Sequence, residues 1–194
     1  MMRQYGVTQI KPELDPSKQA RQSFTNSGQI SPTERMLADW FGDLLTTLAH
    51  PASLDQVLVR IVLLSGGRIG EVLQLRYEDT TWSGFIILRP EKGSRSKVIH
   101  DPVTVNFLPK LLSSPQSLIF PYSYKQALRI FRKYSDVPIV PWPHKHRPTI
   151  HLMRYGYIAY MHSRFNLSDL ELQDIIGHNS SRSTNYYLKR FGHG

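Results

Sequence analysis

Several polar residues sit where a packing pattern alone would not put them. Arg68 follows Gly66 and Gly67 and opens a segment otherwise committed to a core. His151 and Arg154 are three apart, so they share one face of a helix. His178 follows Gly177, and Tyr186 and Tyr187 lie eight and nine residues further on. Guanidinium forks match pairs of phosphate oxygens. Imidazoles exchange protons near neutrality, and a phenol becomes a nucleophile once its proton is drawn off. Taken singly, each residue has a plainer reading. Arg68 can pair with Glu71, His151 can be a hydrogen-bonded core histidine, Arg154 a surface cation, and Tyr187 a packing residue. Their order along the chain sets them apart.

The composition bounds the chemistry. The chain has 194 residues, with 24 Lys and Arg against 15 Asp and Glu, a formal net charge of +9. That length fits one domain, and 40% hydrophobic residues supply a core, unlike a disordered polycation. No window approaches the ~20 apolar residues of a membrane span, and the first residues lack the apolar stretch of a signal peptide. Cysteine is absent, which excludes disulfides, thiolate zinc sites and cysteine nucleophiles. There is no dense Asp/Glu cluster of the two-metal kind. The basic stretch from His144 to Arg147 lacks metal-ligand spacing. The expectation is a soluble cytoplasmic protein, not secreted, with no membrane contact, no cofactor, no metal and an acidic partner. Nucleic acid is the default partner, although charge by itself also serves solubility.

The elements that must position these residues read as mainly α-helical with one small antiparallel sheet, an α+β fold. Residues 1–30 read as a flexible tail ahead of a domain over 31–194. Ser31, Pro32 and Glu34 have the pattern of a capping box, and Met36, Leu37, Trp40, Phe41, Leu44, Leu45 and Leu48 follow at helical spacing. A second helix is expected from Ser53 through Leu64, broken at Ser65-Gly66-Gly67. A third starts at Arg68 and carries Val72, Leu73 and Leu75 inward. Gly84–Arg89 and Lys97–His100 read as paired strands, with 92–96 as their turn. Such a pair needs a third strand or a packed helix. Helices are expected over Thr104–Leu112, Tyr122–Tyr134 and Ile150–Met161, with a proline-rich loop over 137–148. Ser168 and Glu171 form another capping box, opening a helix that ends at Gly177. A short helix over Ser183–Arg190 completes the chain.

Four segments resemble one family. Leu63–Arg76 (LLSGGRIGEVLQLR) is similar to the first arginine box of tyrosine recombinases, Thr/Ser-Gly-x-Arg-x-x-Glu followed by Leu-x-x-Leu. His151-Leu-Met-Arg154 resembles the family's His-x-x-Arg box. Leu172–Ser181 (LQDIIGHNSS) resembles its Leu-Gly-His-Ser-Ser box, with Ile176 in place of the leucine. The family's tyrosine follows that histidine by nine residues, which falls on Tyr187. Glu91–Ile99 (EKGSRSKVI) resembles the hairpin that carries the catalytic lysine, placing it at Lys92. Four boxes in order, over roughly residues 34–191, make a specific signal where one would be weak. Arg154 is followed by Tyr155, where the family often has histidine.

The resemblance implies the tyrosine recombinase catalytic-domain fold and a DNA strand transfer through a 3′-phosphotyrosine intermediate. Its catalytic set is Arg68, Lys92, His151, Arg154, His178 and Tyr187, with Glu71 supporting Arg68. The arginines and His178 would stabilise charge on the non-bridging oxygens. His151 would act as base, and Lys92 would protonate the leaving 5′-oxygen. Lys97 is the alternative lysine and Arg95 the weaker donor, and both are otherwise expected to contact DNA. Tyr186 competes with Tyr187 through a one-residue register error. Lys125, Arg129, Arg132 and Lys133 recur at three- and four-residue spacing and are expected to track DNA phosphates, or else to form a solvated face.

The expected partner is double-stranded DNA, with a tetramer on it by resemblance. Typical members carry a separate N-terminal clamp domain, and none is expected within residues 1–30, so an accessory protein or separate clamp is a further expected partner. Rival readings are a hairpin telomere resolvase, a type IB topoisomerase-like strand transferase, and a non-catalytic DNA-binding regulator of the same fold.

Overall fold

The computed structural model describes residues 30–91, 94–108, 114–135, 150, 152–178, 182 and 184–186. Seven helices and one hairpin are defined among them: α1 (Pro32–Thr47), α2 (Leu54–Ser65), α3 (Ile69–Leu73), β1 (Phe85–Leu88), β2 (Lys97–His100), α4 (Pro102–Phe107), α5 (Tyr124–Tyr134), α6 (Leu152–Phe165) and α7 (Asp169–Ile176). The fold is mainly helical with a two-stranded antiparallel sheet. No described helix is long and apolar enough to cross a membrane.

Local signals account for most boundaries. Ser31 Oγ accepts the Glu34 amide at 3.2 Å and Pro32 starts α1. Ser53 caps α2 through the Gln56 amide. Ser168 and Glu171 close a reciprocal capping box on α7, which ends at Gly177 in the left-handed region. A box that the sequence reading passes over, Ser123 with Gln126, starts α5 at Tyr124 instead of Tyr122. Helix α4 begins two residues earlier than expected, because Pro102 suits a first helical position. Helix α6 runs on to Phe165. Helix α3 is a single short turn-and-a-half, and Leu75 beyond it is buried while its carbonyl accepts the Ile119 amide at 2.8 Å. The proline-rich loop, residues 109–113 and, of the last expected helix, residues 183 and 187–190 lie outside the described residues.

Two helices form the centre. Helix α2 buries Val57, Leu58, Val59, Ile61, Val62 and Leu63, so it is apolar nearly all round. Helix α6 buries seven consecutive residues from Met153 to Ala159. Helix α1 lays Leu37, Ala38, Phe41 and Leu44 on α6. Gly156 permits that approach, since a Cβ there would stand 2.8 Å from the Trp40 ring. Phe41 meets Tyr157 edge-on at 5.9 Å. At the far end of the same pair, fully buried Glu34 accepts His162 Nδ1 at 2.5 Å. Arg60 grips Asp101 with two bonds of 2.8 Å and donates to the Leu48 carbonyl, which ties α2 to the start of α4.

The hairpin packs by alternation. Ile86 and Leu88 of β1 point inward and Phe85 and Ile87 outward. On β2, Lys97 and Ile99 point inward, with Leu88 paired to Lys97 and Ile86 to Ile99. The sheet is supported by a bridge from Thr80 to Ile86 and by packing against α2 and α4. An unanticipated 3-10 turn over Tyr77–Asp79 is anchored where Arg89 bonds Asp79 and Glu78 at 2.8 Å.

Candidate active site around Glu71

The turn between α2 and α3 is built for close approach. Gly66 has φ +53°, and a Cβ there would lie 2.5 Å from the Tyr157 ring. A side chain at this position would be strained twice over, by its backbone and by its neighbour. The turn leaves Arg68 in extended conformation at the N-cap of α3. Its backbone amide donates to Glu71 Oε2 at 3.0 Å. Its guanidinium lies 3.6 Å from Glu71 Oε1 and donates to the Glu91 carbonyl at 3.4 Å. One third of the side chain remains exposed, so the cation is both directed and accessible.

Glu71 itself is 1% exposed. Lys97 Nζ donates to its Oε2 at 2.7 Å, and the lysine is equally enclosed. Burial tends to raise the Glu71 pKa, but the Lys97 ammonium overcomes it, with help from Ser94 and the Arg68 amide, so the carboxyl is held below its ordinary value. Burial pushes the Lys97 ammonium down to about 8, against the pull of Glu71 and with the push of Arg154 and Arg68. Lys97 and Arg68 thus meet at one carboxylate, and Arg154 is near enough for its charge to act on Lys97. Low dielectric around the enclosed cations strengthens their attraction for an anion.

Arg154 is the largest fully buried side chain of the described chain. Its two terminal nitrogens donate to the Gly66 carbonyl at 2.8 Å and the Ile176 carbonyl at 3.3 Å. One guanidinium therefore spans the α2–α3 turn and the end of α7. Beyond Ile176, Gly177 (φ +70°) reverses the chain and sets down His178. His178 is 4% exposed, and its Nδ1 is 3.0 Å from Thr184 Oγ1. The same turn touches the hairpin: the Arg95 amide donates to the Gly177 carbonyl at 3.3 Å. A Cβ on Gly177 would stand 3.0 Å from Lys97 Cε.

The structure therefore brings Arg68, Glu71, Arg154 and the His178 turn together around Lys97. Lys92, His151 and Tyr187 lie outside the described residues. Tyr186 is at the edge of them, in helical conformation and half exposed. Lys97 departs from its expected place among the DNA-contacting cations, because strand alternation turns it inward with Ile99 and Glu71 neutralises it there. Arg95 is exposed and bonds Asp174 at 3.0 Å. Lys125, Arg129, Arg132 and Lys133 are exposed on α5, and Lys133 Nζ lies 5.0 Å from the Tyr134 ring centre. The sequence reading misses the Gly66 and Ile176 carbonyls as seats for Arg154, and Thr184 as the partner of His178. Nothing local marks them, since main-chain acceptors carry no sequence signal.

No family model matches the sequence, and no curated protein is significantly similar to it. Solved structures do match. The chain is similar to XerA recombinase at 19% identity and TM-score 0.56, over 77% of this chain and 57% of that one. It is similar to a lambda integrase in a tetramer bound to a Holliday junction, at 17% identity and TM-score 0.57, over 80% and 48%. It is also similar to the catalytic domain of bacteriophage HP1 integrase, at 16% identity and TM-score 0.54, over 78% and 84%. The match spans about half the length of the XerA and lambda proteins and most of the HP1 catalytic domain. In fold the chain thus resembles tyrosine recombinase catalytic domains, and its cation cluster lies where the Gly66 turn, the hairpin and the Gly177–His178 turn meet.

Proposed function

We propose that this chain is a DNA strand transferase, a site-specific recombinase that cuts and rejoins strands through a 3′-phosphotyrosine intermediate. The observation that carries the reading is the convergence of Arg68 and Arg154, 86 residues apart, on one turn, Arg68 beside Glu71 and Arg154 on the Gly66 carbonyl. Cations fixed beside one spot suit a reaction whose transition state concentrates negative charge on phosphate oxygens.

Tyr187 Oη attacks the phosphorus and gives its proton to His151. The phosphorus–O5′ bond breaks, and the 5′-oxygen takes a proton from Lys92. The enzyme is left joined to the 3′ end. A 5′-hydroxyl from another strand reverses the step, so phosphodiester energy is retained and no nucleotide is consumed. Arg68 and Arg154 bind the non-bridging oxygens, and His178 donates a hydrogen bond there. A phenol of pKa about 10 needs such help at neutral pH. Glu71 orients Arg68. The exposed face of α5 contacts the DNA backbone through Lys125, Arg129, Arg132 and Lys133, as does Arg95 beside α7. A tetramer on DNA is supported by the lambda integrase arrangement on a Holliday junction.

The test is a library of nicked DNA duplexes of random sequence, incubated with the full chain and resolved under SDS. A covalent adduct that maps to Tyr187 is expected, and sequencing the trapped DNA gives the site. Absence of any adduct across the library would overturn the enzyme reading.

A further inference from the structure

Lys97 belongs to the face of β2 that packs inward, beside Ile99, yet it is a lysine. An ammonium is costly to bury unless it is paired. Its contacts explain its place. Nζ bonds Glu71 Oε2 at 2.7 Å, and the same oxygen accepts the Arg68 amide at 3.0 Å. The stem lies beside Gly177, where anything larger than glycine would press on Cε. The neighbouring Arg95 amide bonds the Gly177 carbonyl. One side chain therefore touches the first arginine box, the hairpin and the Gly-His turn, segments centred on residues 68, 97 and 177.

We infer that Lys97 is a positioning residue of this site: its ammonium on Glu71 holds Arg68 in its aim, and its stem seats the Gly177 turn that delivers His178. It neither contacts DNA nor donates the proton to the leaving group, because it is enclosed and already bonded. The charged groups facing it are Glu71 and Arg68 from the α3 end and Arg154 from α6, while α7 presents the Gly177 backbone. Loss of its proton weakens its hold on Glu71. The device therefore works at neutral pH and fails as pH rises through about 8.

The inference rests on the strand-transferase reading for its activity readout only. Two measurements separate them. The first is hydrogen exchange over 94–97 and 174–178 in the full chain, corrected for intrinsic rates. Lys97→Met is expected to speed exchange in both stretches and Lys97→Arg to restore it. Unchanged exchange in Lys97→Met would overturn the inference. Should that variant not fold, Glu71→Gln replaces it, and the same rise is expected. The second is the pH profile of adduct formation on the nicked duplex library. At pH 7, Lys97→Met should slow adduct formation about ten-fold or more while DNA affinity stays within about three-fold, the pattern of a lost transition-state interaction. The wild-type profile should carry an alkaline limb near pH 8, absent from Lys97→Arg because a guanidinium keeps its proton. A limb near pH 8 whose midpoint does not move in Lys97→Arg would also overturn the inference, whereas one displaced to higher pH belongs to the Lys92 proton donor. A wild-type chain that forms no adduct, but whose exchange responds to Lys97→Met, would sink the strand-transferase reading and leave the positioning role standing.

Discussion

Two groups of cations differ in what holds them. Around Glu71, Lys97 and Arg154 are enclosed, and each is seated by a bond to a carboxylate or a carbonyl. On α5, Lys125, Arg129, Arg132 and Lys133 stand in solvent. The first group costs desolvation and returns fixed direction. The second keeps its hydration and its rotamer freedom, and it gains from a polyanion by counterion release. On the proposed function, the difference teaches how one basic chain can separate aim from grip: charge that organises the site is buried and tied, and charge that would follow a DNA backbone is left loose.

The sharpest break in that comparison lies at the nucleophile. Tyr187→Phe should abolish the SDS-resistant adduct and leave DNA affinity intact, whereas Tyr186→Phe should leave the adduct in place. The opposite pattern, read on the same gel, would shift the register by one residue.

Next in size is the buried arginine. Arg154→Ala strands the Gly66 and Ile176 carbonyls inside the protein. It should lower unfolding free energy by about 3 kcal/mol in urea titration and reduce adduct formation by roughly a hundred-fold or more. A variant as stable as the wild type would mean that Arg154 is not seated as described.

On α5 the balance should invert. Arg129→Ala with Arg132→Ala should change stability by only about 0.5 kcal/mol per site, because both side chains are exposed. DNA affinity should fall at all sequences, and the slope of log affinity against log salt should shrink by roughly one per lost contact. A slope that does not move would demote α5 to a solvated face.

The smallest effect concerns a part-buried ion pair remote from the cation cluster, between Glu34 and His162. The hydrogen bond to Glu34 raises the His162 pKa, against the opposing effect of burial. The folded state therefore holds that proton more tightly than the unfolded chain, whose value is about 6.5. The stabilisation is fully present below that value and is lost as pH rises through the higher folded value. The Tm gap between wild type and His162→Gln should thus be widest in mild acid and close at alkaline pH, with DNA affinity unaffected. A gap that widens with rising pH would contradict the pairing.

Much of the fold was legible because its signals are local. Capping serines stand three residues before their partners, glycines stand where the backbone turns left-handed, and apolar residues recur at the helical period. The candidate site was legible in part for the same reason, since Arg68 and His178 are each set down by an adjacent glycine turn. Even the inward direction of Lys97 is implicit in alternation, as it shares a strand face with Ile99. Alternation says which way a side chain points, however, and not what it meets.

The sequence by itself determined the helices, the hairpin and the order of the boxes, because those depend on neighbours within a few residues. Tertiary structure alone decided that Lys97 lies on Glu71, 26 residues away. It alone seated Arg154 on carbonyls 88 and 22 residues distant, and gave Glu34 a histidine 128 residues on. Whether a charge is buried and paired is a property of the desolvated space around it, and that space exists only once distant segments have packed.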